Sequence, residues 1–436
     1  MRFDDAIDSA LGVIRDHIGG RPCPVTLVRD VTGQLTAVLE EPALEGAELE
    51  RLATALNERL GRFSPGLRRV LLRPEDLIDR RDVLGSPDRV RLPEAEDAWL
   101  IDRLLTNQEW LREPHLARPP LPVATAFSLK GGVGRSTAMA VWAWHLAREG
   151  RRVVVVDLDL EAPGLGSLLL GDLPAYGMVD WLADSLLGQP GQELLDDCLA
   201  FSPVAEEAEG IVQVLPAFGA KTRDYVAKVG RVYLPGLAPD GGEIGLPERI
   251  GSLIAALAER QDPPDAVLLD SRAGLHDIGA AAVTQLGAEV FLFARDEPQS
   301  WQAYRLLFEH LARSKGLRFG MPDDDLRWRF KMVAAQVDKT EGAVANWLDA
   351  SYDTWSALYD DEGKASVEHS AQTFVRDDSN APHHPLTVYF DPGLRGIGLV
   401  DASQRPPWPV VEAAFGGFLA GATERLLSRD SSFEEE

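Results

Sequence analysis

Apolar residues recur along this chain in two rhythms, and the change from one to the other divides it. Phe3, Ile7, Leu11, Ile14 and Ile18 fall at the spacing of one helical face, and Gly19-Gly20 stops that helix. Thr26-Leu-Val-Arg-Asp and Leu35-Thr-Ala-Val-Leu, joined through Val31-Thr-Gly-Gln, predict a β-hairpin. Residues 46–60 predict a second amphipathic helix, and Arg69-Val-Leu-Leu a third strand. Residues 97–110 predict another helix, with Trp99, Leu100, Leu104 and Trp110 on its apolar side. Together these make a small α+β unit over residues 1–112, about the size of one domain. It shows no catalytic constellation, so an interaction or packing module is the expectation.

Residues 113–122 are proline-rich and predict a stiff, non-helical linker. Beyond it, short apolar runs alternate with helical stretches: Val123–Phe127, Val153–Val156, Val212–Leu215, Ala266–Leu269, Val290–Phe293 and Lys331–Ala335. Strands apolar throughout belong in a sheet buried on both faces. The expected fold over residues 123–428 is α/β, a three-layer sandwich with a mostly parallel sheet. Pro235–Pro247 and Asp323-Asp324-Asp325 read as surface loops, and 429–436 as a frayed acidic tail.

Charge narrows the functions. The formal net charge is −25, which repels phosphate backbones and anionic membrane surfaces and so weighs against nucleic acid and membrane partners. Two cysteines, Cys23 and Cys198, stand far apart and outside any CxxC, which fits a reducing cytoplasm better than a disulfide or zinc framework. The first residues carry acids inside their apolar run, unlike a signal peptide.

The chemistry concentrates between Ala124 and Asp159. An apolar strand leads into Lys130-Gly131-Gly132-Val133-Gly134-Arg135-Ser136-Thr137, a helical run follows to Arg148, and a second strand ends in Asp157. Strand, glycine loop and helix N-terminus form a nest of backbone amides sized for phosphate. The ordinary phosphate loop reads G-x-x-x-x-G-K-[ST]. Here Leu129 stands at the first glycine and Arg135 at the lysine, while a lysine, Lys130, leads the loop. This resembles the deviant Walker A loop of the MinD/ParA-type P-loop ATPases, within the SIMIBI class. Val154-Val-Val-Asp-Leu-Asp is similar to the A′ and switch I segment, and Asp265-Ala-Val-Leu-Leu-Asp to Walker B and switch II.

That resemblance implies a set of roles. Lys130, Gly131, Gly132, Val133, Gly134, Arg135, Ser136 and Thr137 would hold ATP. The amides of Gly132, Gly134, Arg135 and Ser136 would face the β-phosphate and Thr137 the α-phosphate. Ser136, Asp270 and Asp159 would serve Mg²⁺, which keeps several waters and needs only one or two carboxylates. Asp159 matches the acid that positions the attacking water, and Lys130 would reach the partner's phosphates in an ATP-dependent homodimer. Gln336 is open between a contact to the adenine edge and a plain strand-end residue. Arginine for lysine at 135 keeps the charge and changes its shape; bidentate contact with phosphate oxygens is expected, with hydrolysis left open. His383-His384, flanked by prolines, reads as a loop rather than a metal site. The leading expectation is an ATP-driven switch with slow hydrolysis, controlling a protein partner, with the N-terminal unit as the candidate for contacting it. A non-hydrolysing nucleotide scaffold is the alternative, and a DNA-partitioning ATPase is disfavoured by charge.

Overall fold

The computed structural model describes residues 1–427 except 20, 22, 41–43, 87, 93–94, 96, 116–117, 238–241, 313–324 and 360–373. The expected acidic tail and the pair Asp323-Asp324 therefore lie outside the described residues. The chain divides into two compact units, Met1–Arg112 and Glu113–Glu436.

In the first unit, five strands, β1 (Val25–Arg29), β2 (Leu35–Leu39), β3 (Leu71–Leu72), β4 (Val90–Arg91) and β5 (Ala98–Asp102), form one mixed sheet in the order β3-β2-β1-β5-β4. Helices Ala6–Ile18 and Ala47–Leu60 share a core with Val25, Leu27, Leu35, Ala37 and Leu39, the alternate residues of the hairpin. The helix expected over residues 97–110 is instead strand β5, followed by a short 3-10 turn at Gln108–Leu111. The reason is tertiary. Strand β1 pairs with β2 on one edge and needs a partner on the other, and β5 supplies it in parallel register, Val25 against Ala98 through Arg29 against Asp102. Trp99 lies under the Arg89 guanidinium, 4.1 Å from it, rather than in a helical stripe.

The second unit contains β6 (Val123–Phe127), β7 (Arg152–Asp157), β8 (Ala200–Phe201), β9 (Ile211–Leu215), the small hairpin β10 (Gly236–Leu237) and β11 (Glu243–Ile244), β12 (Ala266–Asp270), β13 (Glu289–Ala294), β14 (Phe330–Val337) and β15 (Leu386–Tyr389). Eight of them make one sheet in the order β15-β14-β13-β6-β12-β7-β9-β8. Every pairing in it is parallel except β8 with β9. Alternate residues feed two cores. Ala124, Ala126, Val153, Val155 and Leu268 pack with helices Arg135–Arg148 and Trp408–Leu427. Val123, Val154, Val156, Val267 and Leu269 pack on the opposite side with helices Met178–Asp184 and Leu246–Ala258. The fold is thus a three-layer α/β sandwich with a mostly parallel sheet, in a chain that begins with a small mixed α+β unit.

Two local expectations change. The stretch 235–247 carries the β10–β11 hairpin rather than loop alone. Asp325 is fully buried; it accepts from the Arg327 amide and pairs with the Arg327 guanidinium at the start of a 3-10 turn. Trp142 and Trp144, on the loop helix, are both buried: Trp142 donates to Thr423 Oγ1 at 2.9 Å, and Trp144 meets Trp408 edge-on.

Candidate functional site

Strands β6, β12 and β7 are neighbours, and their register puts Ala126, Asp270 and Asp157 in one row. The glycine loop that follows β6 therefore opens beside the carboxyl ends of the two acid-bearing strands, the end at which parallel sheets bind ligands. Gly132 and Gly134 take φ of 75° and 87°, backbone that L side chains rarely adopt. Gly134 is the N-cap of the helix Arg135–Arg148, so the amides of the first turn face the loop's concavity. Ser136 and Thr137 are half-buried in that first turn, while Gly131 and Gly132 are exposed and Val133 is buried.

Arg135 is held by side chains of its own chain. Its guanidinium turns inward and is 7% exposed. Nε donates to Asp270 Oδ1 at 2.7 Å, Nη1 to Ser128 Oγ at 3.1 Å and Nη2 to Asp159 Oδ2 at 3.3 Å. Burial and electrostatics explain this. Asp270 is 1% exposed, and an ionised carboxylate at such depth needs a charged partner. The arginine fork supplies one with enough reach to meet two carboxylates and a hydroxyl together. Ser128 is fully buried and serves as an acceptor for the arginine. No sequence signal marks it, because its partner is fixed by the loop's path.

The three acids differ. Asp157 receives backbone N–H bonds from Asp159 at 3.1 Å and from Gly164 and Leu165 at 3.3 and 3.1 Å, tying the segment after β7 back onto the strand end. Burial, and then the neighbouring Asp270, push its carboxyl up to about 7. Asp159 is raised as well, by burial first, with Arg135 opposing. Arg272 pairs with Glu161 at 2.9 Å, across the same pair of segments. As it stands, this donor set does not fit a divalent ion. Of Ser136, Asp270 and Asp159, both carboxylates already share a guanidinium.

At the other end of the loop, Lys130 is 44% exposed and pairs with Glu297, and it donates to Gln299 Oε1 at 3.3 Å. That hydrogen bond holds the Glu297 carboxyl below its ordinary range. Gln336 ends β14 at φ 55° and donates from Nε2 to the Gly132 carbonyl at 3.1 Å, so the structure brings it to the loop. Beside it opens a cavity of about 440 Å³ lined by Gly134, Thr137, Gln336, Phe293, Tyr389 and Arg395, among others. His383 is buried and bonded through Nδ1 to the Tyr359 hydroxyl.

No family model matches the chain. The antiactivator FleN of Pseudomonas aeruginosa is 27% identical over 198 residues, 45% of this chain and 59% of FleN, so the match spans about six-tenths of that protein. Among solved structures, a ParA family ATPase from Chlorobium tepidum covers 65% of this chain and 90% of its own, at 16% identity and a TM-score of 0.40. The septum site-determining protein MinD of Pyrococcus horikoshii, complexed with Mg-ADP, covers 70% and 96%, at 18% and 0.40. The loop sequence, the acids it faces and the similarity to FleN agree with the resemblance to the MinD/ParA-type P-loop ATPases.

Proposed function

We propose that this chain is an ATP-binding molecular switch in which two copies close face to face over two nucleotides and so control a protein partner. The observation that carries this reading is the position of Lys130. It stands exposed at the leading end of an amide-lined loop, where among the described residues the side chains of Glu297 and Gln299 hold it. An ammonium on a flexible stem, so placed, can leave its own chain's carboxylate for the phosphates of a facing copy. The amides of Gly132, Gly134, Arg135 and Ser136 take the β-phosphate and Thr137 the α-phosphate, in the field of the helix N-terminus. Gln336 and the adjoining cavity take the base, with Tyr389 and Phe293 offering aromatic surface. The test is particle mass by light scattering with and without ATP. A shift to twice the mass in the wild type, reduced in Lys130→Ala, supports the sandwich; an unchanged mass with saturating ATP sinks it.

A second reading, the nucleotide scaffold that does not hydrolyse, is favoured by Arg135. The acid that would orient the attacking water, Asp159, is paired to the arginine. Release of inorganic phosphate, followed under saturating ATP, separates the two. Steady release in wild type, lost in Asp159→Ala, supports a switch driven by hydrolysis, and its absence supports the scaffold.

The partner is proposed to be a protein that engages the unit Met1–Arg112. FleN, by its name an antiactivator, is consistent with a regulatory output. A net charge of −25 does not favour coating DNA or anionic membranes. Among the described residues no helix is long and apolar enough to cross a membrane, and we place the switch in the cytoplasm.

A further inference from the structure

The three bonds of Arg135 carry a consequence for metal dependence. In a phosphate loop of ordinary composition, the loop's cation points at the nucleotide, and a hydrated divalent ion links the carboxylates to the phosphates. Here the loop's own cation lies between the two carboxylates, at 2.7 Å from Asp270 and 3.3 Å from Asp159, with Ser128 as a third partner. A hydrated Mg²⁺ could reach the same acids only by displacing the buried guanidinium, so a metal carried in by a nucleotide gains no carboxylate here. Three of the five N–H donors of a guanidinium are engaged by these bonds. The others remain for a phosphate oxygen.

We propose that Arg135 is the resident cation of this site, bridging Asp270 and Asp159 to the phosphates of a nucleoside di- or triphosphate that binds without a divalent metal. The proposal rests on the nucleotide reading above. It assigns to one side chain the charge compensation otherwise divided between a loop lysine and Mg²⁺. Selectivity follows too: free ATP and Mg·ATP become near-equivalent ligands. An ammonium at position 135 has neither the planar fork nor the reach for both acids, so a lysine there would release at least one carboxylate for a metal.

The test is equilibrium binding of a fluorescent ATP analogue to the full chain, in millimolar Mg²⁺ and in excess EDTA. For the wild type the two dissociation constants are expected to agree within about two-fold, and for Arg135→Lys the EDTA value is expected to be weaker by about tenfold or more. A wild-type affinity that falls about tenfold on chelation overturns the proposal, whatever the variant does. An Arg135→Lys protein that is folded by circular dichroism, yet binds equally in both buffers, also overturns it, because metal independence would then not reside in the arginine. Failure of the wild type to bind in either buffer overturns the nucleotide reading itself, and this proposal with it.

Discussion

The two ends of the glycine loop hold cations in opposite surroundings. Lys130 stands at the surface with a carboxylate and an amide for company. Arg135, on the first turn of the helix, is buried with two carboxylates and a hydroxyl. An exposed pair is screened by water and exchanges partners freely, whereas a buried one is held because each member would be stranded without the other. A movable charge suits contact with a second molecule, and a fixed charge suits organisation of the site. A third cation shows that burial alone does not produce the second behaviour. Lys331 on β14 is buried, and its ammonium donates to the carbonyls of Ser379 and Ala381, at 2.7 and 2.9 Å. Burial, aided by Arg425, lowers its pKa to about 7. Arg135 differs in having carboxylates rather than carbonyls as partners.

The largest expected effect comes from Arg135→Ala, which leaves Asp270 and Asp159 without their cation. Breaking a buried pair from one side lowers stability by roughly 3–5 kcal/mol, read as a fall in the urea midpoint at neutral pH. An unchanged midpoint would mean that the guanidinium is not structurally committed. Next is the pH dependence due to Lys331. Its folded pKa lies below the unfolded value of 10.5, so between about pH 7 and pH 10.5 the unfolded chain binds the extra proton and stability rises with pH. Its contribution is least favourable below pH 7, and the slope it adds approaches ~1.4 kcal/mol per pH unit. Lys331→Met should remove that slope; a variant with the wild-type slope would show that the lysine stays charged.

Ser128→Ala should have a smaller effect, about 1–2 kcal/mol, from one lost hydrogen bond to a charged donor. Its urea midpoint should fall between those of wild type and Arg135→Ala. The smallest stability effect belongs to Glu297→Gln. The folded state should be no less stable, since the pair is at the surface, but Lys130 loses its charged local partner. ATP-dependent dimer formation, measured by light scattering, should then need less ATP. If instead the dimer requires more ATP, Glu297 assists closure and Lys130 is not restrained by it.

Much of this was legible from residues alone. The alternation that buries Val123, Val154 and Val156 on one face and Ala124, Val153 and Val155 on the other needs only period-two geometry. Likewise, Gly132 and Gly134 announce left-handed backbone, and an apolar strand before them sets the loop's place at the carboxyl end of the sheet. Residues 97–110 were misread because helical spacing is a local signal, while β5 answers the unpaired edge of β1, some seventy residues earlier in the chain. Asp325 was misread for a similar reason: acids in a row look solvated until a buried arginine claims one.

The sequence by itself determined that a phosphate-sized loop exists, that two cations flank it, and that acids end the neighbouring strands. Only the tertiary structure decided which cation faces outward. Asp270 lies 135 residues from Arg135 along the chain and Asp159 lies 24 away; the register of β6, β12 and β7 brings all three together. An arginine near that row is drawn to it because a buried carboxylate has no water to turn to, and composition cannot report which carboxylates will be buried.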